Sequence, residues 1–139
     1  MRWTLAAIAL ALGALSPFAG SPYRQREVAA IELATWIKDR KPGLRIVDLR
    51  SQKEFDAFHV PTSKRLALES VTPRPGETIV VCGAADPGGA DLARLKSAAE
   101  VGGATLYVLH GDVQAWISEV VKRPTAIGRY FGGMRRGGC

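Results

Sequence analysis

Cys82 closes the apolar run Ile79-Val80-Val81, and the glycine-rich stretch Gly83-Ala84-Ala85-Asp86-Pro87-Gly88-Gly89 follows it into a helical pattern. A thiol at that point of an α/β unit sits at the carboxyl end of a buried strand, beneath the first turn of the next helix. Unpaired backbone N–H groups and the positive end of a helix dipole meet there. Both favour the thiolate, the reactive form. The chemistry on offer is nucleophilic, with Gly83, Gly88 and Gly89 allowing backbone amides to come close to a sulfur or an oxyanion. A second reading stands beside it, because free cysteine is among the most buried residue types and Cys82 also reads as a small hydrophobe finishing a core strand.

Few other residues carry chemistry. Asp48 and Arg50 close another apolar run, and an arginine there can hold an anion through two hydrogen bonds. His110 ends the last such run and reads either as a general base near Cys82 or as a solvent-facing loop residue. Asp86-Pro87 reads as the N-cap and first residue of a helix, which sets an internal carboxylate where a substrate anion would bind and opposes a thiolate at Cys82. Two isolated histidines and two distant cysteines make neither a metal site nor a disulfide framework. One Cys82–Cys139 bond stays open in an oxidising compartment.

The elements that must position these residues follow from periodicity. Ile31, Leu33, Ala34, Trp36 and Ile37 recur at helical spacing until Arg40-Lys41-Pro42-Gly43. Leu44 to Asp48 reads as a short strand. Ser51 and Glu54 have capping-box spacing, which predicts a helix over 52–58 that Pro61 ends. A weak strand over 65–68 and a turn at Thr72-Pro73-Arg74-Pro75-Gly76 precede the strand Thr78 to Cys82. Leu92, Leu95, Ala98 and Ala99 mark the next helix, Thr105 to His110 the next strand, and Asp112 to Val121 the closing helix, with Val113, Trp116, Ile117 and Val120 on one side. The alternation predicts an α/β fold, a mainly parallel central sheet with helices on both faces. Ligands then belong at the carboxyl ends of the strands, where Cys82, the residues after Asp48 and those around His110 share one edge.

With 139 residues and 47% hydrophobic content, the chain suits one domain with a real core and is not disordered as a whole. Residues 1–23 read as a signal peptide or an uncleaved membrane anchor: one basic residue, then Leu5 to Leu15 apolar, and no charge until Arg24. The uncharged span is about the 20 residues a bilayer requires, weakened by Pro17, Gly20 and Pro22. Export to the periplasm or cell envelope is the expectation. The formal charge of +6 is unevenly spread. Residues 24–121 balance, and the excess sits in Lys122, Arg123, Arg129, Arg135 and Arg136 of a basic, glycine-rich tail over 122–139 that has no acidic residue. Such a tail reads first as a soluble basic end; it also suits anionic lipid or nucleic acid, and export argues against nucleic acid.

Three segments together resemble the rhodanese-like domain family. Ile46-Val47-Asp48-Leu49-Arg50-Ser51 with Glu54, Phe55, His59, Val60 and Pro61 is similar to its first signature. Thr78 to Cys82 is similar to the strand that delivers its cysteine, and Tyr107-Val108-Leu109-His110-Gly111 with Trp116 to its closing signature. The resemblance spans about Glu27 to Val121, within a rhodanese-like domain expected over 24–121. It implies a sulfurtransferase in which Cys82 takes sulfane sulfur from a small donor as a persulfide and a thiol or other nucleophilic acceptor removes it. The loop Gly83, Ala84, Ala85, Asp86, Gly88 and Gly89 would stabilise the persulfide, Asp48, Arg50 and His110 would support the site, Asp48 and Arg50 mainly by tying the loop architecture together, and no cofactor is needed. Cys139 is a second thiol, placed by this reading as an acceptor of that sulfur or as a disulfide partner of Cys82.

The departures from the family pattern support a rival reading. The family's loop commonly carries a basic residue suited to thiosulfate, and this loop has none. The family also places an aromatic residue between the Val-Val pair and the cysteine, so a gapless match gives Cys82 the aromatic position and Gly83 the nucleophile's. A slid match restores Cys82. The first signature normally runs from its proline into Gly-Ala, where this chain has Thr62-Ser63, and its closing pair of glycines is Gly111-Asp112, with Asp112 expected as the last helix's N-cap. The rival is a catalytically inactive module that binds a protein or peptide partner. Phosphatase chemistry, which shares the fold, needs a longer loop and an arginine.

Overall fold

The computed structural model describes residues 26–123. The expected signal segment, most of the basic tail and Cys139 lie outside them. Five strands form one sheet in the order β1-β5-β4-β2-β3: β1 Arg26–Val28, β2 Leu44–Asp48, β3 Lys64–Arg65, β4 Thr78–Cys82 and β5 Thr105–Leu109. Every pairing is parallel, so all carboxyl ends open on one edge. Strictly alternating side chains divide β4 between two cores. Val80 and Cys82 face α1 (Ala30–Lys38) and α4 (Asp112–Trp116), beside Leu33, Ile46, Leu109 and Trp116. Ile79 and Val81 face α3 (Ala90–Val101), beside Leu92, Leu95 and Leu106.

Ser51 caps α2 (Gln52–Ala57) with the capping box its spacing predicts. Other elements differ from the sequence reading. β1 carries no periodic signal; its three residues are strand because they pair with Tyr107–Leu109. β3 lies at 64–65, and Leu68–Ser70 forms a 3₁₀ turn in place of the expected strand end. Asp86-Pro87 does not start α3, whose N-cap is Gly89; Asp86 closes a turn instead, its Oδ1 accepting from the Gly88 amide at 3.2 Å and its carbonyl from Gly89 at 3.0 Å. Ala98 is exposed, off the buried face of Leu92, Leu95 and Ala99. The closing helix widens into a π-helical turn at Ile117–Val121. Among the described residues no helix is long and apolar enough to cross a membrane.

Candidate functional site

The site is the edge where β2 and β4 end side by side, Asp48 directly opposite Cys82. Asp48 is completely buried and is met by Arg50, whose Nε donates to both carboxylate oxygens at 3.0 and 3.2 Å and whose Nη2 donates to Oδ2 at 2.8 Å. The same Nη2 donates to the Phe58 carbonyl at 2.6 Å, and the Arg50 amide returns to Asp48 Oδ1 at 3.0 Å. This guanidinium is spent on tying the β2–α2 loop to the sheet. Its hydrogen bond to Asp48, opposed by partial burial, holds it more firmly protonated than an ordinary arginine.

Cys82 is 1% exposed. Period-two alternation turns its side chain inward with Val80, so the thiol ends the core rather than opening on the rim. Burial pushes that thiol far above its ordinary range; the carboxylates of Asp112 and Asp48 act in the same direction, and Arg50 only partly offsets them. Reactive cysteines are shifted the opposite way, and even an ordinary thiol is only a few per cent thiolate at pH 7. Cys82 is a free thiol.

Gly83 is the first residue to leave the strand. Its φ is +73°, and a Cβ built there would overlap Cγ of Arg50 and lie 3.2 Å from Cδ. Its amide donates to Asp112 Oδ1 at 2.7 Å. Asp112 is therefore not the N-cap of α4, a place Gly111 takes. It sits at φ +56°, a conformation rare for any side chain but glycine, and sends its carboxylate across to the loop. The amides of Gly83, Gly88 and Gly89 all donate to acceptors within the protein. His110 is exposed and engages Glu27 of β1 through Nδ1 at 3.0 Å. Beside the loop lies a cavity of about 330 Å³ lined by Leu49, Leu68, Leu92, Asp86, Asp91 and residues 83–85. Among the described residues no group of side chains is arranged to hold a metal. Of the residues that shape this site, sequence reasoning missed the reach of Asp112; its place in a pair the family fills with glycines was the available signal.

A testable consequence follows from the sealed thiol. In a Cys139→Ser background, native protein should give no reaction with a thiol reagent at pH 8, and one equivalent after unfolding; rapid native labelling would contradict the burial. The pH dependence has a fixed sign. With the folded thiol raised above its unfolded value of about 8.5, its contribution to stability is complete below that pH and is lost as pH rises beyond it. Cys82→Val should remove that alkaline component from the denaturation profile.

The Rhodanese-like domain profile matches residues 30–119. Several solved structures share the fold at low identity. The Alr3790 protein from Anabaena sp. is 20% identical, with a TM-score of 0.54 over 78% of this chain and 89% of that one. The single-domain sulfurtransferase RDL2 of Saccharomyces cerevisiae is 12% identical, with a TM-score of 0.52 over 68% and 90%. A thiosulfate sulfurtransferase from Pseudomonas aeruginosa is 19% identical, with a TM-score of 0.55 over 68% of this chain but 18% of that one. A search of curated proteins finds no match.

Proposed function

The chain belongs to the rhodanese-like domain family, and from that premise we propose that it serves as a non-catalytic module that binds a protein or peptide partner through the cleft beside the 83–89 loop. The observation that carries this reading is the sulfur of Cys82, sealed in the core at 1% exposure while Gly83 stands where the chain leaves the strand. Sulfur transfer needs a thiolate that a donor can reach. Here burial and two carboxylates oppose ionisation, and three of the loop amides, those of Gly83, Gly88 and Gly89, donate to Asp112 and Asp86 instead. The cleft is lined by the apolar Leu49, Leu68 and Leu92 together with the carboxylates of Asp86 and Asp91. That composition suits a segment bearing an apolar and a basic side chain, and disfavours thiosulfate. Export through the N-terminal segment, part of the same proposal, would put the partner in the cell envelope.

The test is cyanide-linked sulfur transfer with thiosulfate and with an organic persulfide, comparing wild type, Cys82→Ser and Cys82→Ala after circular dichroism shows all three folded. Equal background rates are expected. A rate that disappears in both variants would restore the sulfurtransferase and overturn the binding module.

A further inference from the structure

Two positions that the family's signatures give to glycine hold polar side chains here, and both have left-handed backbone: Asp112 at φ +56° and Thr62 at φ +67°. Glycine would take either conformation without cost, whereas a β-branched residue is a genuine outlier there. For Asp112 the compensating contact is visible, a 2.7 Å hydrogen bond from the Gly83 amide. Thr62 has no such contact among the described residues. Its turn is set by its neighbours, with Val60 buried and Ser63 returning both its amide and its hydroxyl to the Val60 carbonyl. Nothing in that turn uses the threonine hydroxyl.

Thr62 borders a cavity of about 490 Å³ whose wall also carries Arg45, Lys64, Arg74 and Glu77. The convergence follows from the sheet. Lys64 is opposite Val47 on the neighbouring strand, so it shares a face with Val47 and, by alternation, with Arg45. Arg74 comes from the turn before β4, which is pinned against the start of β2: Thr78 donates to the Gly43 carbonyl at 2.8 Å, and a Cβ on Gly43 would lie 2.7 Å from the Gly76 carbonyl oxygen. The single carboxylate is already engaged, lying 3.7 Å from Arg45 and accepting from the Arg74 amide at 2.9 Å. Arg45 also donates to the Thr72 carbonyl at 3.0 Å. The side-chain charges of Lys64 and Arg74 have no acidic partner among the described residues.

We propose that this cavity binds a phosphate-type oxyanion, with Lys64 and Arg74 supplying the charge, the Thr62 hydroxyl a hydrogen bond, and Arg45 the adjoining wall. Charge-assisted hydrogen bonds to such an anion are the strong class, and retaining a strained threonine is explained by the bond it makes to the ligand. The site lies away from the 83–89 loop and does not depend on how that loop functions. The ligand is a free phosphate compound or a phospholipid headgroup, the same chemistry from two sources.

Amide shifts in ¹⁵N NMR, read on the full chain against inorganic phosphate at constant ionic strength, test the proposal. Saturable shifts are expected at Lys64, Arg74 and Ile46. Lys64→Gln/Arg74→Gln should weaken binding at least about tenfold, while Lys38→Gln/Lys53→Gln, removing equal charge elsewhere, should leave it unchanged. Thr62→Gly should weaken binding and raise the melting temperature together, a pairing that a purely structural threonine would not give. Phosphatidylglycerol vesicles that bind and are competed off by phosphate, with phosphatidylcholine vesicles inert, would identify the headgroup as the source. Absence of saturable shifts, or equal loss in the site and control variants, would overturn the site.

Discussion

Arg50→Leu is expected to lower folding stability by about 3–5 kcal/mol, the range for removing one partner of a buried ion pair. The Asp48 side chain is 1% exposed, and apart from the Arg50 amide every hydrogen bond to its carboxylate among the described residues comes from that one guanidinium. The variant leaves a carboxylate in the core with most of its compensation gone and removes the donor that reaches Phe58. For a domain of this size each kcal/mol moves the midpoint by about 4–8 °C, so calorimetry should show a fall of at least about 12 °C. Arg50→Lys should recover only part, because an ammonium cannot reproduce the two-pronged geometry. The pair also has a pH signature: a guanidinium whose pKa is raised by its hydrogen bond to Asp48 keeps its contribution below the unfolded value and loses it only as pH climbs through the folded one, so no loss from this group is expected at moderately alkaline pH. A fall of less than about 1 kcal/mol would mean that the loop is held by something else.

Gly83→Cys, the substitution that puts a thiol where the gapless family match expects one, should destabilise the domain by about 2–4 kcal/mol and create no sulfur transfer. Left-handed backbone costs a side chain about 1–2 kcal/mol, and overpacking costs a similar amount again. Here the new Cβ would overlap the Arg50 side chain, which its contacts to Asp48 and Phe58 prevent from moving aside. Chemical denaturation gives the stability, and the cyanide-linked assay gives the activity. Full stability with thiosulfate turnover would show that Arg50 yields easily and that the loop remains competent.

The central architecture was legible because β2, β4 and β5 are short apolar runs between clear breakers, and because Ser51 and Glu54 form the capping box their spacing announces. β1 was not legible: three residues carry no period, and only pairing with β5 makes them strand. Asp86-Pro87 misled, since an aspartate before a proline satisfies both the helix-start pattern and a tight turn, and the turn prevails when Gly88 and Gly89 close back onto Asp86. For Cys82 the two open readings differed by one residue of register. Strand alternation decides where its side chain points, and that is settled by whether the chain leaves the sheet at position 82 or 83. Composition says nothing about this; the pairing of Asp48 with Cys82 does.

The contact between Asp112 and the Gly83 amide ties the loop after β4 to the first residue of α4. Under the proposed non-catalytic reading, equipping this edge with a reactive thiol at 83 takes three changes at once: a nucleophile at 83, space freed from Arg50 without unseating Asp48, and the Asp112 carboxylate withdrawn. No single substitution supplies all three.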